Sequence, residues 1–298
     1  MKKSHRIIIG IVASIAALAS VLAAGAKIGS DRKSHRVVQV EIAPLAFAPE
    51  TATVERGRYL YQSRGCADCH GANGQGRVVI DDPNGLYVKA PNISPGPGNV
   101  VARYAERDWV RTLRHGVKPN GNPLLIMPSQ DYNRMTDADV AAMVAYLHAM
   151  PPVAGEVATL HLPMLVRALY AVGAVKDAAE KIDHTLPPSR SIPKAVTVEH
   201  GAYVANMCIG CHGAAFTGGK IPGAPPTWPP AADLTPRPQG AMARYGSTAM
   251  FVSMMRTGKR PDGSDISKVM PFGSLKELDD TDLAAVYLFL KSLSAPSR

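Results

Sequence analysis

All four cysteines of this chain fall in two five-residue motifs, Cys66-Ala67-Asp68-Cys69-His70 and Cys208-Ile209-Gly210-Cys211-His212. The Cys-x-x-Cys-His spacing is that of a c-type haem attachment site. Two thiols so placed can form thioether bonds to the haem vinyl groups, and the adjacent histidine can reach the iron from one side. Cys66, Cys69, Cys208 and Cys211 are therefore the expected covalent attachment points. His70 and His212 are the expected first axial ligands of two haem irons. A structural zinc site would also pair such cysteines, but its halves usually lie close together. Here well over a hundred residues separate them, and each carries its own histidine. A redox dithiol would sit near a βαβ pattern, which is absent. Two structural disulfides would leave both histidines unexplained.

The chain must position these motifs. Its 298 residues are enough for two domains. Aromatic content is low, at 6%; a haem, itself a large flat apolar body, can fill part of a core. The formal charge of +9 favours acidic partners or anionic membrane surfaces, and no nucleic-acid motif accompanies it. Residues 1–30 form a signal-anchor or signal peptide. Lys2, Lys3 and Arg6 precede a charge-free run from Ile7 to Ala24. That run approaches the length of a membrane-spanning helix and exceeds the usual signal-peptide core. Ala24-Gly25-Ala26 would serve as a cleavage site in the alternative of a soluble, exported protein. In either case the basic end stays on the cytoplasmic side and the bulk faces the periplasm. Residues 31–50 are a tether.

The first haem domain is placed at 51–152. A helix over Val54–Tyr61 leads into its Cys-x-x-Cys-His. Asp81 to Gly98, with four prolines, is expected to be loop. A helix follows around Tyr104–His115, then a loop carrying Met127-Pro128. Thr136 is the expected N-cap of the last helix, with Asp139 closing an acidic capping box. Val140, Met143, Val144 and Leu147 form that helix's apolar stripe. The second domain, 195–298, repeats the order. Glu55, Gly57 and Tyr59 match Glu199, Gly201 and Tyr203. Arg114 and Gly116 match Arg256 and Gly258, and Met127-Pro128 matches Met270-Pro271. Asp139, Ala142, Tyr146 and Leu147 match Asp282, Ala285, Phe289 and Leu290. This is a duplicated domain, since each unit is large enough to close its own core.

The repeat selects the second axial ligand. Of twelve methionines, most are gap-filling core residues. Met127 and Met270 alone lie in a loop, precede Pro and the last helix, and hold the same place in both repeats. They are the expected partners of His70 and His212, an arrangement that raises the potential and suits electron transfer. His115 is the rival on the first iron, but its counterpart is Thr257. His148 is expected on a helix surface, and His161, His184 and His200 in solvent.

The chain resembles di-haem, class-I-like cytochromes c, and in particular the membrane-associated cytochrome c subunits of periplasmic alcohol, gluconate and molybdenum-containing aldehyde dehydrogenases. The resemblance rests on Glu199 to Tyr203, the run Phe216 to Gly223, Ala231 to Pro236 and Arg260 to Gly263, and covers both haem domains. It implies a mostly α fold, two tandem cytochrome c-like haem domains after an N-terminal apolar helix. Many relatives of that group bind three haems, whereas this chain has two motifs. The resemblance also implies a Pro carbonyl against each histidine ring. Pro91 fits in the first domain, while its counterpart is Ala232.

Both axial positions filled leave no open site for substrate, so the expected role is electron transport and not catalysis. The donor implied is a periplasmic or membrane dehydrogenase, and the acceptor a terminal oxidase or a small electron carrier of a respiratory chain. A di-haem subunit of a cytochrome oxidase complex would use the same chemistry. A di-haem peroxidase would need one displaceable ligand, against the matched Met-Pro pairs. The connector, 153–194, is expected to pack as a strap across the domains, with a helix over Pro163–Ile182. The sharper alternative is a partner-docking helix.

Overall fold

A computed structural model of the chain describes residues 2–42, 45, 51–155, 157–222, 224–225 and 227–293. Much of the tether's second half, Gly223 and the last five residues lie outside them. The architecture is mostly α. Helix α1 (Lys2–Ser34) precedes the first haem region, built from α2 (Thr51–Ser63), α3 (Cys66–His70), α4 (Glu106–His115), α5 (Ser129–Tyr132) and α6 (Asp137–Ala149). After a connector bearing α7 (Met164–Ala171), the order recurs as α8 (Val198–Ala205), α9 (Ile209–His212), α10 (Thr248–Thr257), α11 (Phe272–Leu275) and α12 (Asp280–Ser292).

Each half buries its own core. In the first, Leu60, Trp109, Leu113, Val140 and Val144 pack together. In the second, Val204, Phe251, Met254, Leu283 and Leu290 do so. The first and last helices of each half cross closely, and this explains one matched pair of residues. A Cβ on Gly57 would stand 1.9 Å from the Ala142 carbonyl oxygen, and one on Gly201 2.0 Å from that of Ala285. Only glycine permits both crossings.

The expected loop at Asp81–Gly98 is in part a sheet. β1 (Val78–Asp81), β2 (Tyr87–Lys89) and β3 (Thr159–His161) pair antiparallel in that order, with Val88 opposite Leu160. β3 comes from the connector, so one of the two partners of β2 lies far along the chain. The connector helix is also shorter than expected. It stops where Gly173 turns to φ 83°, and a single 3-10 turn, Ala179–Lys181, follows.

α1 is long and apolar enough to cross a membrane, with mean hydropathy 2.6 in its most apolar window and none of that window buried. Its far end is fixed to the connector. Arg36 pairs with buried Asp177, Lys33 with Glu180, and Arg167 with Asp31. The connector thus packs mainly on α1 and the first half, and reaches the second half at its end, where Lys194 pairs with Asp279.

Candidate haem sites

The two motifs lie on short helical turns that follow the first helix of each half. Cys66 to His70 form α3; Cys208 closes a 3-10 turn that runs into α9. His70 Nδ1 lies 2.9 Å from the Pro91 carbonyl oxygen, and His212 Nδ1 lies 2.8 Å from that of Ala232. A carbonyl only accepts, so each Nδ1 carries the proton and each Nε2 keeps its lone pair. Ala232 therefore does what Pro91 does. The acceptor is a backbone oxygen, and proline is not required to supply one. Burial holds both rings below the ordinary histidine value, although each carbonyl pulls the other way. A neutral ring is the form that ligates a metal.

These residues fit a covalently held haem. The four cysteines are free thiols. Burial pushes Cys66 and Cys208 up to about 12, so their surroundings favour uncharged sulfur, as in a thioether. Cys66 and Met127 border the same core, as do Cys208 and Met270. An open cleft of about 400 Å³ lies beside Met270, lined also by Asp68, Lys268 and Phe272.

The loops carrying the two methionines share one backbone form. Pro128 sits at φ −81°, ψ 60° and Pro271 at φ −79°, ψ 68°. Ser129 N donates to Met127 O over 2.9 Å, and Phe272 N to Met270 O over 2.8 Å. Each is an inverse γ-turn, for which the proline ring fixes the required φ. The structure thus gives a physical reason for the Met-Pro repeat. Met143, Met150, Met254 and Met255 are buried in the cores.

The other histidines differ in part from expectation. His148 is exposed on α6, and His161 is exposed in β3. His115 is buried against His184, Nδ1 to Nδ1 at 3.0 Å, with the rings stacked. His184 is therefore not a solvent residue. Nor is His200, which is 2% exposed with Nε2 2.7 Å from Asp282 Oδ1.

The halves meet in a seam that repeats itself. Tyr59 Oη donates to Asp282 Oδ2, and Tyr203 Oη donates to Asp139 Oδ2, each over 2.6 Å. Each hydroxyl also accepts from the backbone that starts the opposite helix, Asp279 N and Thr136 N, both at 3.2 Å. The expected capping box at Thr136 is therefore half formed. Its hydroxyl accepts from Asp139 N, but the Asp139 carboxylate turns to Arg56 and Tyr203.

The seam reaches the motifs themselves. Asp68, inside the first, takes a hydrogen bond from Ser274. Asp131, the counterpart of Ser274, packs its carboxylate against Gly210, inside the second, and burial pushes that carboxyl up to about 7. Arg64 lies buried two residues before the first motif, pairing with Asp282 across the seam. Sequence reasoning missed Arg64, Asp68 and Asp131.

Both halves of the chain match one known family. The family model for cytochrome c matches residues 54–151 and 198–294. The fructose dehydrogenase cytochrome subunit of Gluconobacter japonicus is 26% identical over 273 residues, which is 85% of this chain and 55% of that protein. The cytochrome c subunit of a quinone alcohol dehydrogenase from Gluconacetobacter polyoxogenes is 35% identical over 118 residues, 37% of this chain and 25% of its own. A diheme cytochrome c-type protein of Cereibacter sphaeroides is 33% identical over 119 residues, 37% of this chain and 40% of its own. The chain spans about half the length of the first of these relatives and less of the others.

Proposed function

We propose that this chain, which belongs to the cytochrome c family and carries covalently bound c-type haem, relays single electrons from a dehydrogenase to a terminal oxidase or small electron carrier. It is an electron-transfer protein and not an enzyme in its own right. In this reading Cys66 and Cys69 hold one haem, and Cys208 and Cys211 the other. His70 with Met127, and His212 with Met270, fill the axial positions. Bound haem supplies a one-electron couple whose potential its axial ligands tune. The protein's part is to hold those ligands still. Pro91 O and Ala232 O orient the two rings, and the proline-locked turns fix the two methionines.

The observation that carries the reading is the pairing of two matched sites across one bonded seam. Tyr59, Tyr203, Asp139 and Asp282 tie the halves together beside both motifs. The reading divides the chain into haem domains at 51–152 and 195–298, joined by a connector at 153–194. Residues 1–30 are then the anchor and 31–50 the tether, with the haem domains in the periplasm. Separate cores in the two halves and an unburied apolar α1 support that division. A dehydrogenase donor is supported by the names of the relatives.

Purification of the full-length protein from its own membranes tests the reading. A dehydrogenase catalytic subunit is expected as companion, and its substrate is expected to reduce both haems. An oxidase core as the only companion, or haems that stay oxidised, would overturn it.

A further inference from the structure

We propose that α7 is an interfacial helix, lying in the headgroup region of an anionic bilayer beside the point where α1 emerges. The inference rests on the reading of α1 as a membrane anchor. The charge-free stretch of α1 from Ile7 to Ala26 is about 20 residues, or roughly 30 Å at 1.5 Å per residue, close to the thickness of a hydrocarbon core. α7 meets α1 just beyond that stretch. A Cβ on Gly29 would lie 3.0 Å from Ala171 Cβ, Arg167 reaches Asp31 at 2.9 Å, and Lys33 sits 4.6 Å over the Tyr170 ring. These contacts place α7 at the level where apolar chain gives way to charge.

The roll of α7 about its own axis is fixed. Tyr170 is buried and donates to Asp177 over 2.8 Å, and Asp177 is held in turn by Arg36. The opposite face presents Leu165, Leu169 and Val172, at helical positions i, i+4 and i+7. Leu165 is 71% and Val172 78% exposed. Such a stripe is costly in water. It lies on a helix that packs beside the emerging end of α1, whose own apolar residues are unburied. Arg32 and Lys176, chain neighbours of the Asp31 and Asp177 that bond α7, are exposed, as expected beside anionic headgroups. A protein partner would cover such a stripe too, but its place beside the end of the apolar stretch of α1 and the exposed cations nearby fit a lipid surface.

The test uses the full-length, haem-loaded protein in nanodiscs of phosphatidylethanolamine and phosphatidylglycerol that carry a diazirine phospholipid, with adducts mapped by peptide mass spectrometry. Adducts are expected on α1 and on the peptide spanning Met164 to Val172. The double variant Leu165→Glu, Val172→Glu is expected to lower adducts on α7 by about tenfold and to leave those on α1 and the haem spectrum unchanged. Labelling of α1 with α7 bare would overturn the interfacial helix and leave the anchor standing. A bare α1 would remove the anchor and this inference with it. Crosslinks from α7 to a copurified subunit in place of lipid would show a protein-docking face and overturn the proposal.

Discussion

Asp139 and Asp282 occupy the same place in the two halves and keep different company. Asp139 is held by both nitrogens of an Arg56 fork, each at 2.9 Å, and by Tyr203 from the other half. Asp282 is held by His200 from its own half, at the position equivalent to Arg56, and by Tyr59 and Arg64 from across the seam. The Tyr–Asp bonds are common to both sides and make the joint. The charges around them are not common. Arg56 is 28% exposed at its side chain, whereas Arg64 is 6% exposed. Burial raises the pKa of Asp282, but Arg64, Tyr59 and His200 outweigh it and hold the carboxylate below its ordinary value. Duplication thus kept the geometry of the joint while one side became a buried charge network.

The largest expected effects probe what the halves share. Gly57→Ala and Gly201→Ala each drive a methyl into a carbonyl of the crossing helix. Each is expected to cost about 4 kcal/mol or more in a urea titration, within the exceptional range for single substitutions. Tolerance at one position and not the other would mean that the two crossings are not equivalent.

The next pair probes what differs. Asp282→Ala strands Arg64 in the interior and is expected to cost roughly 3–5 kcal/mol. Asp139→Ala leaves Arg56 with access to water and is expected to cost about 1–2 kcal/mol. Equal losses would erase the asymmetry.

A pH-dependent effect separates Asp131 from Ser274. The folded-state pKa of Asp131, about 7, lies above its unfolded value, so the folded state binds the proton more tightly. Its contribution is fully present below about pH 4 and is lost as pH rises towards about 7, by at most about 1.4 kcal/mol per pH unit. Asp131→Asn should flatten that slope in unfolding titrations across the window. An unchanged slope would remove Asp131 as its source.

The motifs, the duplication, the helix order and the paired Met-Pro turns were legible because each is a short local signal that occurs twice. What escaped depends on contacts between distant segments. β2 is three residues long and its partner β3 comes from the connector, so no alternation marks it. Tyr59, Tyr203, Asp139 and Asp282 were visible as matched positions. A match looks the same, however, whether the bond it makes is within a half or between halves. His200 follows the connector and so looked exposed; Asp282 draws it inside. Arg64 has Asn206 at its counterpart position, and nothing in the sequence distinguishes it from a solvated arginine.

The central claim is that two haems are held in matched His/Met sites. A spectroscopic redox titration of the full-length protein beside its Met127→Ala and Met270→Ala variants tests it most directly. Two one-electron couples are expected in the parent. Met127→Ala should lower one of them and Met270→Ala the other, each leaving its companion in place. Couples that move in neither variant, or both couples moving together in each, would contradict the claim.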